Sequence, residues 1–392
     1  MTTAFEKVGS LMESAVAWPE RLKHPLIFAT NNRTGSAATR FILTEEIGQN
    51  AIFFLGGVDQ KSRRIIYTYE KFLESAKENR HPVYYGHLYY GVHQHIPGDC
   101  IYFTTVRDPV ERVLSCYDAV HPDPRSQPDL KTWLKTDPDA QNGMVKRFCG
   151  FGDNYFRGDP AVALPDFYGR FEFFDYNQNQ PMPTDIAITE DHLKKAFDVI
   201  DSHYGFIFLH SHFVENTVIL QKILGTGPLF SPLHQKIFRL SSTPRRETCS
   251  EADQALISAH NRYDEILYSV CRERYLAFLA DQDETFQEEV RVMKIVDQIV
   301  DNPGKQFADL ENVTAHLNAS IAELRSANLD SVAVQVLARF TGKKMFACEM
   351  SQQAIQMIQQ IGTPDDVVRE VEKYRTKFGN DEFISSLKNF SD

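Results

Sequence analysis

Two arginines, a serine and a histidine stand where they can handle an anion and a proton. Residues 100–117 read Cys-Ile-Tyr-Phe-Thr-Thr-Val-Arg-Asp-Pro-Val-Glu-Arg-Val-Leu-Ser-Cys-Tyr. An apolar, β-branched run ends at Arg107 and turns at once into a helical pattern. Asp108 suits the cap of that helix, Pro109 its first position, and Glu111 completes a capping box. Ser115 follows eight residues after Arg107, two turns along the same helix. A guanidinium fork beside a hydroxyl can hold a phosphate. Arg107 can instead pair with Asp108 or Glu111, and for those two acids helix capping is the expected role. An earlier turn, Asn32-Arg33-Thr34-Gly35-Ser36-Ala37, follows the apolar run Leu26-Ile27-Phe28-Ala29. Gly35 lets backbone amides approach an anion, Ser36 and Ala37 open a helix whose positive end favours one, and Arg33 adds a full charge. Alone, this turn reads as a Ser-capped helix start. With a second anion site after another strand, the pair points to one ligand carrying two separated phosphate groups. The turn lacks the Gly-Lys-Ser/Thr ending of nucleoside triphosphate loops. His87 lies in an aromatic, His-rich stretch, residues 81–95. An imidazole can take a proton from a hydroxyl, but the surroundings alone suit a structural histidine better. His93-x-His95 has metal-compatible spacing, yet no Cys or carboxylate joins it at tight spacing, so no metal site is expected.

These groups need strands to present them. Short apolar runs at 26–29, 51–55, 65–67, 101–106 and 206–209 read as strands. Helical spacing or composition covers 37–47, 71–78, 129–135, 139–149, 190–200 and 213–224. This alternation predicts an α/β fold with a mainly parallel, helix-flanked sheet. Ligands of such sheets sit at the carboxyl ends of strands, where Arg33 and Arg107 fall. Residues 151–188 read as a long functional loop or lid. Residues 229–249 are irregular, with the basic run Ser241-Ser242-Thr243-Pro244-Arg245-Arg246 at their centre. Composition shifts near Asp281, which predicts a domain over 1–281 and a helical C-terminal appendage over 282–392. The appendage can pack on the core, form a homo-oligomer interface or hold a partner; packing or self-association is the ordinary expectation.

With 392 residues and 42% hydrophobic composition, the chain can bury a large core. A net charge of −11 argues against a general nucleic-acid or anionic-membrane binder, while leaving room for one local basic pocket. No apolar run approaches the roughly 20 residues of a membrane span, and no signal peptide is visible. The six cysteines show no pairing pattern, so free thiols in the cytoplasm are expected.

The motifs together resemble those of sulfotransferases, more narrowly the carbohydrate 2-O-sulfotransferase type and its bacterial, soluble relatives. Arg107, Asp108, Pro109, Glu111, Arg112, Ser115 and Tyr117 match that family's Arg-Asp-Pro-x-Glu-Arg-x-x-Ser-x-Tyr segment position by position. Gly86-His87 stands where the family has Gly-His. Asn142 to Gly150, Phe213 to Asn216 and Asn261 to Tyr268 resemble three further family segments, so the likeness spans about residues 24–275. It implies a P-loop-NTPase-like sheet that uses 3′-phosphoadenosine-5′-phosphosulfate (PAPS) and releases the bisphosphate (PAP). It also implies the site residues. Arg33, Thr34, Gly35, Ser36 and Ala37 hold the 5′ end, Arg107 and Ser115 hold the 3′-phosphate, and Arg245 lies in a late loop closing over the nucleotide. His87 acts as base with Arg33 assisting. The acceptor implied is a hydroxyl of a carbohydrate or glycosylated metabolite. Arg33 stands where the family has Lys, and Arg differs from Lys in reach and geometry. That change and the shared sheet leave two competing readings: a nucleotide-dependent kinase, or a catalytically silent nucleotide-binding scaffold.

Overall fold

Four-residue apolar runs without alternation, such as Leu26–Ala29 and Ile52–Leu55, suit strands covered on both faces. The computed structural model describes residues 24–31, 33–47, 51–55, 69–78, 81–120, 128–153, 173–175, 177–178, 180–182, 186–225 and 249–299. In it, β1 (Leu26–Ala29), β2 (Ile52–Leu55), β3 (Val83–Gly86), β4 (Ile101–Val106) and a later strand, β8 (Tyr204–Leu209), form one parallel sheet in the order β2-β3-β1-β4-β8. Leu26, Ile27, Val83, Tyr84, Tyr102, Phe103 and Phe206 are fully buried in it. The described helices are α1 (Ser36–Ile47), α2 (Tyr69–Lys77), α3 (Pro109–Val120), α4 (Leu130–Thr136), α5 (Gly143–Phe148), α6 (Glu190–His203), α7 (Phe213–Leu224), α8 (Glu251–His260), α9 (Arg262–Ala280) and α10 (Glu284–Ile299), with 3₁₀ turns at Val92–His95 and Pro138–Ala140.

The topology matters for the site. From β1 the chain runs outward to β2 and returns as β3, which inserts between β2 and β1. It then crosses to β4 on the other flank of β1 and continues to β8. The chain therefore leaves β1 and β4 in opposite directions, which opens a crevice between their carboxyl ends.

Strand β3 was not legible as a strand. Val83-Tyr84-Tyr85-Gly86 is short, aromatic and buried on both faces, so it shows no period of two. The stretch 151–188, expected as a loop, contains a small antiparallel sheet of β5 (Phe151–Asp153), β6 (Phe173–Asp175) and β7 (Gln180–Met182). Asp175 closes its turn by accepting from the Asn177 and Gln178 amides at 2.8 and 3.0 Å. One expected helix, 139–149, is a 3₁₀ turn followed by the shorter α5, because Asp137 caps the turn and Asn142 breaks the run in a left-handed conformation. The expected extended piece at 65–67 lies outside the described residues.

The chain divides into two compact units, residues 1–229 with 241–282 and residues 230–240 with 283–392. In the first, Val113, Leu114 and Tyr117 of α3, Trp133 and Leu134 of α4 and Ile257 of α8 form one apolar cluster. In the second, α10 starts at Asp283, whose carboxylate accepts from the Phe286 amide at 2.8 Å. Its Phe286, Val290 and Met293, at helical spacing, are buried. The other helices expected in the tail lie outside the described residues. Among the described residues, no helix is long and apolar enough to cross a membrane.

Candidate functional site

Three neighbouring strands, β3, β1 and β4, each end on a group singled out in the sequence. The turn after β1 is tied to both flanking strands. The Thr30 amide donates to the Gly86 carbonyl at the end of β3 at 2.8 Å. The buried Asn31 side-chain amide donates to Thr104 Oγ1 at 3.1 Å and to the Thr105 carbonyl of β4 at 2.9 Å. Thr34 Oγ1 donates back to the Asn31 carbonyl at 2.9 Å, so this hydroxyl closes the turn. Arg33 and Gly35 both sit in left-handed conformation, at φ 61° and 84°. A Cβ at residue 35 would lie 3.2 Å from Cδ2 of His210, the residue after β8, so glycine there serves both the backbone and the imidazole packed on it. Ser36 and Ala37 form the first turn of α1, and the Ser36 carbonyl accepts from the Tyr85 hydroxyl.

The two positions expected to hold an anion are contiguous. Arg33 Nε donates to Ser115 Oγ at 3.0 Å, and Arg107 Nη1 donates to the Arg33 carbonyl at 3.1 Å. Arg33 therefore reaches across the crevice from the first turn to the serine of the second. Arg107 also pairs with Glu111 at 3.4 Å, the alternative that the sequence left open. Asp108 caps α3, accepting from the Glu111 amide at 3.0 Å.

His87 follows directly on β3. Gly86 before it has φ 151°, and a Cβ there would meet the Leu55 carbonyl oxygen of β2 at 2.4 Å. The Gly-His pair is thus a packing requirement followed by a chemical group. His87 Nδ1 lies 3.3 Å from both the carbonyl and the hydroxyl of Thr30. Burial, then the positive charge of Arg147, push His87 down to about 4. The imidazole is accordingly neutral at neutral pH.

Several residues of this region were not assigned a role from sequence. Asp139 accepts from Arg112 Nη1 and Arg147 Nη2, each at 3.2 Å, through its two carboxylate oxygens. Arg112 is fully buried and also faces Asp264 at 3.6 Å. Arg147 lies over the Tyr89 ring, 4.7 Å from its centroid, and points Nη1 at the Thr30 carbonyl at 3.5 Å. Two motifs about 120 residues apart interlock beneath these groups. Asn142 Oδ1 accepts from the Tyr263 and Asp264 amides, capping α9, at 2.9 and 3.2 Å. In return Asp264 accepts from the Met144 and Val145 amides, capping α5, at 3.1 and 2.9 Å. The likeness of both segments to family segments was the available signal; their pairing in space was not in it.

Other candidates fall elsewhere. Arg245 lies outside the described residues. Tyr84, Tyr85 and Tyr89 of the aromatic stretch are buried in the core. His93 bonds the Tyr102 hydroxyl at 3.0 Å and packs near His203, and His95 bonds the Tyr69 hydroxyl at 3.1 Å. Tyr102 and His203 mark the amino-terminal end of the sheet, opposite the crevice. Among the described residues, no three His, Cys, Asp or Glu side chains converge as metal ligands, and Cys100, Cys116, Cys149, Cys249 and Cys271 form no disulfide. No protein-family model matches the chain, and no curated protein shows significant similarity to it.

Proposed function

We propose that the chain is a PAPS-dependent sulfotransferase built on a P-loop-NTPase-like sheet, acting on a hydroxyl of a carbohydrate or glycosylated metabolite. The observation that carries this reading is the contiguity of the turn after β1 with Arg107 and Ser115 after β4. One nucleotide with an anion at each end needs two cationic positions within its own length. The Arg33–Ser115 contact of 3.0 Å and the Arg107–Arg33 carbonyl contact of 3.1 Å bring the turn after β1 and the start of α3 side by side, with the Arg33 guanidinium lying on Ser115. The donor set fits the ligand: two guanidinium forks, a serine hydroxyl and a helix start with a glycine that admits close approach.

The donor supplies an activated sulfuryl group. Arg33, Gly35 and Ser36 hold its 5′ end and stabilise the charge that grows there as the sulfur–oxygen bond breaks. Arg107 and Ser115 fix the 3′-phosphate, which sets the line of attack. His87 takes the acceptor hydroxyl's proton as the new oxygen–sulfur bond forms, and PAP leaves. A histidine already neutral at pH 7 has its lone pair available for this step.

Calorimetry with PAP and with ATP tests the reading, together with transfer of labelled sulfate from PAPS to a panel of glycans. PAP should bind in clear preference to ATP, and His87→Ala should abolish transfer while leaving PAP affinity nearly unchanged. Preference for ATP would favour a kinase. PAP binding without transfer to any glycan would favour the scaffold reading.

A further inference from the structure

Arg147 is almost entirely buried, yet it ends one carbonyl group away from His87. It sits on α5, whose start is fixed by Asp264 of α9, and it leaves that helix between two clamps. One clamp is the Asp139 carboxylate at 3.2 Å, itself anchored by Arg112; the other is the Tyr89 ring, 4.7 Å from the guanidinium carbon. We propose that Arg147 is a positioning residue for His87, held by Asp139 and Tyr89 so that it keeps the imidazole neutral with the proton on Nδ1 and the lone pair on Nε2.

The physical chemistry is direct. The Thr30 hydroxyl, 3.3 Å from His87 Nδ1, can serve either tautomer, but the Thr30 carbonyl at the same distance can only accept, so that contact is a hydrogen bond only when Nδ1 carries the proton. A cation beside the same carbonyl opposes a second proton on the ring. The charged groups facing His87 are Arg147 from α5 and Asp139 from the turn before it, acting in opposite directions. Burial opposes the charged ring most, and Arg147 adds to it more than either the Thr30 carbonyl bond or Asp139, which is shared with Arg112, offsets. The guanidinium points at the Thr30 carbonyl that His87 Nδ1 also faces, so its effect is exerted through His87.

This inference rests on His87 being the base, but its test does not use turnover. Nitrogen-15 labelled histidine, with His87 assigned by loss of its signals in His87→Gln, reports protonation and tautomer directly by NMR. In the unmodified chain His87 should be neutral at pH 6 and wholly in the Nδ1–H form. Titration near 6.5, or an Nε2–H form, would overturn the proposal without any variant having to fold. Arg147→Met should raise the midpoint by at least one unit, whereas Arg147→Lys, which keeps the charge, should hold it within about half a unit of the parent. An unchanged midpoint in the Met variant, or an equal rise in both, would assign the effect to packing and overturn the proposal. Loss of sulfate transfer with the NMR behaviour intact would count against the sulfotransferase reading alone.

Discussion

Arg33 and Arg107 make unequal demands on their surroundings. Arg33 is exposed and has turned its guanidinium onto Ser115, while Arg107 is partly buried between the Arg33 carbonyl and Glu111. Arg107 is thus aimed by two fixed partners, which favours it as the group that recognises a particular phosphate. Arg107→Ala should weaken PAP by about tenfold or more, the scale of one charge-assisted contact. Adenosine 5′-phosphosulfate, which lacks the 3′-phosphate, should lose far less; equal losses in calorimetry would remove Arg107 from that role. At His87 the sign of the pH effect follows from its lowered protonation. Transfer measured as kcat/KM should stay level from pH 8 down to about 5 and decline only as the histidine protonates near 4. A decline centred at 6.5 would mean an imidazole in open solvent.

At the scale of elements, the reciprocal caps between α5 and α9 decide where Arg147 points. Asp264 satisfies two helix-start amides and faces the fully buried Arg112. Its loss leaves a buried cation with one carboxylate partner fewer. Asp264→Ala should destabilise the fold by about 3–5 kcal/mol, the range for breaking a buried pair, read as a fall in the urea midpoint. Asn142→Ala removes two neutral cap bonds and the bond to the His260 carbonyl, and leaves alanine at φ 49°, so it should cost more than a lost cap alone, about 0.5–2 kcal/mol. Elements were legible in proportion to their local signals. The cap Asp108-Pro109-Glu111 marked the start of α3, and Gly35 with Ser36 marked that of α1. Strand β3 carried no such mark, because its register is set by β1 and β2 on either side. The caps of α5 are supplied from α9, about 120 residues away, so no local window contains them.

At the scale of the whole molecule, His87 and His93 are among the described residues that couple stability to pH. His87 is lowered to about 4 by burial and then by Arg147, and His93 to about 4 by burial and then by His203 and His95. Both sit below the unfolded value of about 6.5, so between these limits the unfolded chain binds more protons. Their contribution is complete above pH 6.5 and is lost as pH falls toward 4. Urea midpoints measured across that interval should fall less steeply in the His87→Gln, His93→Gln double variant than in the parent; parallel curves would show both rings to be solvated.

By itself the sequence determined the chemical inventory and the class of sheet. Arginine, serine and histidine stand beside strand ends, and their neighbours carry cap and turn signals that act over three or four residues, a range any short window spans. Only tertiary structure decided that β3 slides in beside β1, so that His87, the Gly35 turn and Arg107 end on one edge. It alone decided that Arg33 meets Ser115 and that Arg147 stands behind His87. Those arrangements depend on strand order and on contacts between distant segments, and they are selected by burial of the whole core rather than by any local preference of the chain.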